Sequence, residues 1–242
     1  MDFRHLSPVH KEECFCPNKE LAVVIKKGNT IMIDIVKSGN TNCYLINTGN
    51  KNILVDTGTI ADEQFLQKLK AKIPLEQIDL IILTHGHYDH VEYASVLQKE
   101  YGISILLHKN DLDKVTRGSM DFPPAKGFFS NFIRDVTLSG MKKAAYTPFT
   151  PDIVIENGNM AEYPDIQIIP LPGHTPGSIG IIFENNLFAG DLMMNMPFPS
   201  MSWFAEDFDI LSQSIKKIQH LNLNRIYPGH GKSFSYSWLK YF

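Results

Sequence analysis

The sequence predicts an α+β fold, two β-sheets packed face to face with helices outside, and three observations carry the prediction. Short β-rich runs broken by Gly and Asn gather in two similar halves of the chain. Segments with apolar residues at helical spacing lie among them, and "IDLIILT" has the unbroken apolar pattern of a strand covered on both faces. At 242 residues the chain can bury such a core without cross-links. No repeat, charge block, low-complexity tract or linker divides it, so residues 1–242 are read as a single domain.

In the first half, "TIMIDIV", "TNCYLINTG" and "KNILVDTG" read as hairpin strands. "ADEQFLQKLKAKI" follows as a helix with Phe65, Leu66, Leu69 and Ile73 on one stripe, and "IDLIILT" is the buried strand. "YASVLQKEYG" is a second helix, closed by Gly102 where a left-handed residue ends a helix, and "ISILLH" is another strand. From Asn110 to Pro151 Pro, Gly and aromatics mix without a clean period, which predicts a partly helical excursion that covers another part of the molecule. In the second half "DIVIENGN", "DIQIIPLPGH", "SIGIIFE" and "NLFAGD" are strands, with Asn185 and Asn186 as the turn between the last two. "DFDILSQSIKKIQHL" is a helix buried along Leu211, Ile215, Ile218 and Leu221, and "RIYPGHG" is a last strand with its loop.

Composition excludes more than it identifies. With 43% hydrophobic and 20% charged residues the chain is ordinary for a globular protein, and its net charge of −3 offers no basic footprint for nucleic acid. The N-terminal "MDFRHLSPVHKEECFC" is charged throughout and lacks the apolar stretch of about 7–15 residues that a secretory signal needs. No apolar run approaches the ~20 residues of a membrane span. The expectation is a cytoplasmic protein with neither nucleic-acid nor membrane partners, its oligomeric state left open. Cys14, Cys16 and Cys43 are too few for a disulfide scaffold, and Cys14 with Cys16 makes no complete metal-ligand set.

The chemistry concentrates in "THGHYDHVE", which places His85, His87, Asp89 and His90 directly after a buried strand. A turn at Gly86 lets the imidazoles of His85 and His87 converge, while Asp89 and His90 fall where the next helix begins. Packing alone gives no reason to gather four such side chains on a loop, whereas they match the nitrogen and oxygen ligands preferred by zinc or iron. Three further stretches repeat the arrangement: "LPGHTPGS" brings His174, "LFAGD" Asp191 and "YPGHG" His230, each after a strand and flanked by glycine. Five histidines and two aspartates suffice for two adjacent metal ions sharing a carboxylate. His5, His10, His108 and His220 read as solvated or packing residues. "DLMMNMPFPSMSWF", with Met194, Phe198, Trp203 and Phe204, reads either as an apolar wall over the metals or as ordinary core with a loop.

Taken in order, these motifs resemble the signature of the metallo-β-lactamase superfamily, a His-x-His-x-Asp-His loop with a distal His, an Asp and a final His, over roughly residues 30 to 235. The resemblance implies an αββα sandwich of two mixed sheets with metals at one edge. Carried over, His85, His87 and His174 hold the first metal, Asp89, His90 and His230 the second, and Asp191 bridges. The cofactors implied are two divalent ions, zinc foremost, with iron or manganese as alternatives. Asp56 of "ILVDTG" would orient ligands from behind, or be a simple turn aspartate. Relatives commonly carry Gly at the position of Glu92, which either favours a helix N-terminus or hydrogen-bonds a metal ligand.

Two cations so placed would hold a bridging hydroxide at neutral pH and polarise a carbonyl, with Asp89 as the catalytic group that orients the water and moves its proton. That chemistry implies hydrolysis of a small ester, thioester or lactone. Antibiotic-hydrolysing relatives are secreted and usually place Cys or Ser where this chain has Asp191. Glyoxalase II thioesterases append a helical glutathione-binding region, and the chain stops about a dozen residues after His230, which argues against glutathione thioesters. Lactonases place Tyr at the position of Met194. Persulfide dioxygenases hold one iron on the equivalents of His85, His174 and Asp191 and stand as the alternative, followed by a phosphodiesterase or a non-enzymatic metal-binding domain. Specificity is expected to lie in loops 110–150 and 192–206.

Overall fold

Successive strand side chains point to opposite faces, so a strand that is apolar at every position needs cover on both sides. A computed structural model describes residues 21–26, 29–126, 143–156, 158 and 160–242. The expectations for His5, His10, Cys14 and Cys16 fall outside the described residues. The larger sheet orders its seven strands β1-β2-β3-β4-β5-β6-β9. These are β1 (Leu21–Lys26), β2 (Asn29–Ser38), β3 (Thr41–Asn47), β4 (Asn52–Val55), β5 (Leu80–Ile82), β6 (Ser104–His108) and β9 (Ile153–Ile155). β1 to β4 pair antiparallel, and β4, β5, β6 and β9 parallel. The second sheet runs β10 (Gln167–Pro170), β11 (Ile179–Phe183), β12 (Asn186–Gly190), β15 (Arg225–Pro228) and β16 (Phe234–Ser235), with β12 and β15 parallel.

The alternation sorts the core into three layers. Tyr44, Ile46, Ile53, Leu80 and Ile82 face Ile168, Ile181, Phe183, Phe188 and Tyr227 across the gap between the sheets. Their neighbours Leu45, Leu54 and Ile81 turn the other way, onto Phe65 and Leu69 of α1 (Phe65–Lys70) and Leu97 of α3 (Ala94–Tyr101). On the second sheet Ile169, Leu187 and Ile226 turn outward onto Leu211, Ile215 and Ile218 of the helix Phe208–Ile218. Helices therefore cover both outer faces, and the molecule is the expected αββα sandwich.

Several boundaries differ from the expectation. The helix placed over residues 61–73 shrinks to α1, because Asp62 directs its carboxylate to Gly39 N, Gln64 N and Lys68 Nζ and holds the preceding residues in a turn; Ile73 still packs beyond the helix end. The turn between β11 and β12 is made by Glu184 (φ 48°) and Asn185 (φ 57°), one residue earlier than expected, and Asn186 already pairs with Phe183. Both central residues are left-handed, as a two-residue hairpin turn requires. In the excursion after β6 lie α4 (Leu112–Arg117) and a hairpin of β7 (Ser119–Asp121) with β8 (Lys143–Ala145); residues 127–142 are outside the described set. A one-turn helix, α2 (Tyr88–Val91), and the hairpin β13 (Met193–Asn195) with β14 (Pro199–Met201) complete the parts that bear on the site.

The helix Phe208–Ile218, here α5, starts where the Asp207 carboxylate accepts Asp209 N and Ile210 N at 2.9 Å each. Asp207→Ala is expected to cost about 1 kcal/mol, which for a chain of this length lowers the melting temperature by roughly 2–4 °C, a shift calorimetry resolves.

Candidate metal centre

β4, β5, β10, β12 and β15 all end at one edge of the sandwich, and the residues that follow them meet there. Asp56 follows β4, His85 to His90 follow β5, His174 follows β10, Asp191 follows β12 and His230 follows β15. The sheets are joined at this edge by Ile179 N donating to Thr84 O at 2.9 Å. The loop carrying His230 is fastened by Asn42, whose Nδ2 donates to Pro228 O and Gly231 O at 2.8 Å, and by Tyr44 OH on Pro228 O at 2.6 Å.

Four of the five imidazoles give Nδ1 to a fixed acceptor and turn Nε2 to the centre. His90 Nδ1 meets Asp56 Oδ2 at 2.8 Å, His174 Nδ1 meets Phe204 O at 2.7 Å and His230 Nδ1 meets Asn40 O at 3.0 Å. His85 Nδ1 meets Thr84 Oγ1 at 3.0 Å, and that hydroxyl donates in turn to Asp56 Oδ2 at 2.8 Å. One carboxylate therefore orients two rings, a common device for fixing the tautomer of metal-binding histidines. His87 is reversed, bringing Nδ1 to 2.9 Å from His174 Nε2. Asp191 lies among the others: Oδ1 is 3.4 Å from His90 Nε2, and Oδ2 is 3.5 Å from His174 Nε2 and 3.3 Å from His230 Nε2. Asp89 Oδ2 is 3.3 Å from His230 Nε2 and accepts Thr41 Oγ1 at 3.2 Å. Gly229 permits this crowding, since a Cβ there would come within 2.3 Å of Asp191 Oδ1.

Three groups of ligand atoms emerge, each within 4.8 Å: His85, His87 and His174; His85, His90 and Asp191; Asp89, His90 and His230. Within them His85 Nε2, His87 Nε2, His90 Nε2 and Asp191 Oδ1 are buried without a hydrogen-bond partner. Buried polar atoms are rarely left so. Nε2 of His85 and His90 with Asp191 Oδ1, together with His87 Nδ1 against His174 Nε2, make the kind of donor set a divalent cation takes up, so the residues present fit the metal binding that the motifs imply.

The electrostatics divide the cluster. Burial, reinforced by neighbouring imidazoles, pulls His85 and His87 well below the ordinary imidazole range, and burial lowers His174 as well. Burial also disfavours charge on His90 and His230, but the adjoining carboxylates outweigh it: Asp89, Asp191 and Asp56 raise His90 well above its usual value, and Asp191 with Asp89 pushes His230 up to about 10. Burial would raise Asp89 and Asp191, yet the same imidazoles hold both well below the usual carboxylate range.

The remaining expected site residues scatter. The Glu92 carboxylate neither serves a helix N-terminus nor reaches a ligand: it ends α2 and accepts Thr59 Oγ1 at 2.5 Å and Ile60 N at 2.9 Å, bracing the loop after β4. Met194 is buried in β13 and Phe198 is 64% exposed near the hairpin tip. Trp203 and Phe204 are half-buried, and Phe204 reaches the centre through its carbonyl. A cavity of about 380 Å³ is lined by Lys114, Arg117, Met120, Phe122, Pro124 and Glu206, among others, and by none of these four and none of the seven candidate ligands. Thr84 is a supporting residue beyond the expected set, and its place beside His85 at the end of a buried strand is a usable signal; Thr41 and the buried Asp111 carry no local signal.

A family model described as the metallo-beta-lactamase superfamily matches residues 36–230. The chain is 29% identical over 212 residues to a probable metallo-hydrolase of Methanocaldococcus jannaschii, covering 83% of this chain and 94% of that one. It is 30% identical over 202 residues to hydroxyacylglutathione hydrolase GloC of Haemophilus influenzae, covering 78% and 85%. Of three further relatives the chain spans 56%, 65% and 58% of the length. Among solved structures, the BLEG-1 B3 metallo-beta-lactamase superposes with a TM-score of 0.63 at 22% identity, covering 84% of this chain and 94% of that one, which speaks to the fold alone. Among the described residues, no helix is long and apolar enough to cross a membrane.

Proposed function

The chain belongs to the metallo-beta-lactamase superfamily, and on that premise we propose that it is a hydrolase that holds two divalent cations and cleaves a small ester, thioester or lactone. The observation that carries the reading is the convergence of His85, His87, Asp89, His90, His174, Asp191 and His230 with buried, unpartnered donor atoms facing one another. His85, His87 and His174 would hold one cation and Asp89, His90 and His230 the other, with Asp191 shared. When bound, such a pair supplies Lewis acidity toward a carbonyl and a hydroxide at neutral pH, zinc being the ion best suited to the donor set and iron or manganese compatible with it.

The protein's own groups then divide the work. His85, His87, His90 and His174 are buried, whereas Asp89 and His230 are partly exposed, so substrate approaches from their side. Asp89, steadied at Oδ2 by Thr41 Oγ1, is the carboxylate at that mouth, and it accepts a proton from the attacking water and returns it to the departing oxygen or sulfur. Asp56 and Thr84 keep the rings of His90 and His85 from turning as the charge around them changes. Thioesters gain support from the Haemophilus relative, whose name is that of a hydroxyacylglutathione hydrolase and 85% of which aligns with this chain. A long appended region is thus no requirement for that substrate class.

Protein purified without added metal is expected to carry about two zinc or manganese ions per chain and to hydrolyse members of a panel of aryl esters, S-acyl glutathiones and lactones. Activity should vanish on chelation and return with zinc. One tightly held iron per chain with oxygen consumption would replace this reading with an oxygen-dependent one, and an empty, inactive protein that takes up no cation would sink it.

A further inference from the structure

We infer that Asp111 is a positioning residue that clamps the two loops of the three-histidine group against each other, an inference that rests on reading His85, His87 and His174 as metal ligands. Asp111 precedes α4, where an aspartate ordinarily caps the helix, but its side chain makes no cap bond. It is fully buried instead and accepts four hydrogen bonds. Oδ2 takes Gly86 N at 2.7 Å, between His85 and His87, and Thr175 Oγ1 at 2.7 Å, next to His174. Oδ1 takes Gly177 N at 3.1 Å and Lys114 Nζ at 3.1 Å.

The two loops belong to different sheets, the first following β5 and the second β10, so chain connectivity does not set their separation. Asp111 ties them together through its side chain, in addition to the backbone bond from Ile179 N to Thr84 O. Its approach depends on Gly177, where a Cβ would lie 2.6 Å from Asp111 Cγ. Tyr146 OH holds the carbonyl of Gly86 at 2.8 Å, so that residue is fixed through both its N–H and its C=O. Lys114, shared with Glu206 at 3.1 Å, sets its ammonium against the buried carboxylate as the fourth of these donors. The excursion after β6 therefore underlies the metal loops as well as flanking them.

The test is titration with Co(II), read from its visible absorption, of the full-length wild type, Asp111→Asn, Thr175→Val and a core control, Ile215→Val. Asn offers one acceptor oxygen and turns an amide toward the N–H donors. Asp111→Asn is expected to weaken the cation held by three imidazoles about 10–100-fold and to alter its absorption bands. Thr175→Val, which removes one of the four donors, should give a smaller weakening in the same direction, and Ile215→Val none. Wild-type affinity and spectrum in both Asp111→Asn and Thr175→Val would overturn the clamp. Should Asp111→Asn fail to fold, Thr175→Val decides alone by the same criterion. A wild type that binds no Co(II) would instead refute the ligand reading beneath it.

Discussion

Replacing Asp89 with Ala is expected to lower kcat/KM for the hydrolysed acyl compound by at least about 10²–10⁴-fold, the range of a general acid–base group. Asp89 stands in two roles at once, and the geometry separates them. Its Oδ2 lies 3.3 Å from His230 Nε2 and 3.7 Å from His90 Nε2, which makes it one of three donors for a cation. It is also more exposed than the imidazoles around it and than Asp191, so it is the carboxylate of the centre most open to solvent. Burial pushes its pKa up, but the neighbouring His90 and His230 hold it well below the usual carboxylate range, so it is ionised at any working pH, and as a weak base it hands on readily any proton it takes. Asp89→Asn keeps an oxygen donor and loses the base. At saturating zinc it should recover cation content more fully than rate, whereas Asp89→Ala should lose both. Near-full activity in metal-loaded Asp89→Ala would remove Asp89 from the mechanism.

The parts of this centre that could be read from sequence are those whose chemistry and position coincide along the chain. His85, His87, Asp89 and His90 follow one strand, and His174, Asp191 and His230 each follow another with glycine beside them, so residue type and strand end together mark them. Supporting contacts are invisible at that level because they join distant segments: Asp111 meets Gly86 25 residues away and Thr175 64 residues away. Glu92 shows the converse error. It sits two residues from His90 in sequence, yet the turn of α2 carries its carboxylate away from the centre and onto Thr59 and Ile60. The hairpin turn falls at Glu184 and Asn185, one residue before the pair Asn185-Asn186 that carries the stronger turn propensity, because register is set by pairing Phe183 with Asn186. Layering was legible for the opposite reason: the alternation of Tyr44, Leu45 and Ile46, or of Leu80, Ile81 and Ile82, is a local property that the sandwich uses directly.

Cation uptake by the group of Asp89, His90 and His230 is expected to depend far more steeply on pH than uptake by His85, His87 and His174. A metal ligand must be deprotonated, so binding competes with protons wherever the ligand holds one. In the first group burial already keeps the imidazoles neutral, and little remains to be displaced near neutrality. In the second, burial is outweighed by Asp89 and Asp191, which keep His90 protonated above the usual range and His230 protonated up to about 10. Both raised groups are protonated through neutrality, and releasing their protons to solvent costs more as pH falls, so the sign is fixed: affinity rises with pH. Two protons displaced per cation give roughly a 100-fold change in apparent affinity per pH unit, tenfold for each proton. Titrations at about pH 6 and about pH 8, on either side of the ordinary imidazole range, should find the first cation bound at both and the second bound firmly only at the higher. Calorimetry in buffers of different ionisation heat should count about two protons released with the second cation. Equal pH dependence for the two cations, or no proton release with the second, would show that His90 and His230 are not ligands displaced from carboxylate pairs. Because Asp89 belongs to this second group, the acid limb of the activity profile should then follow loss of that cation, and excess zinc should shift the limb toward lower pH, which protonation of a base on a fully loaded centre would not allow.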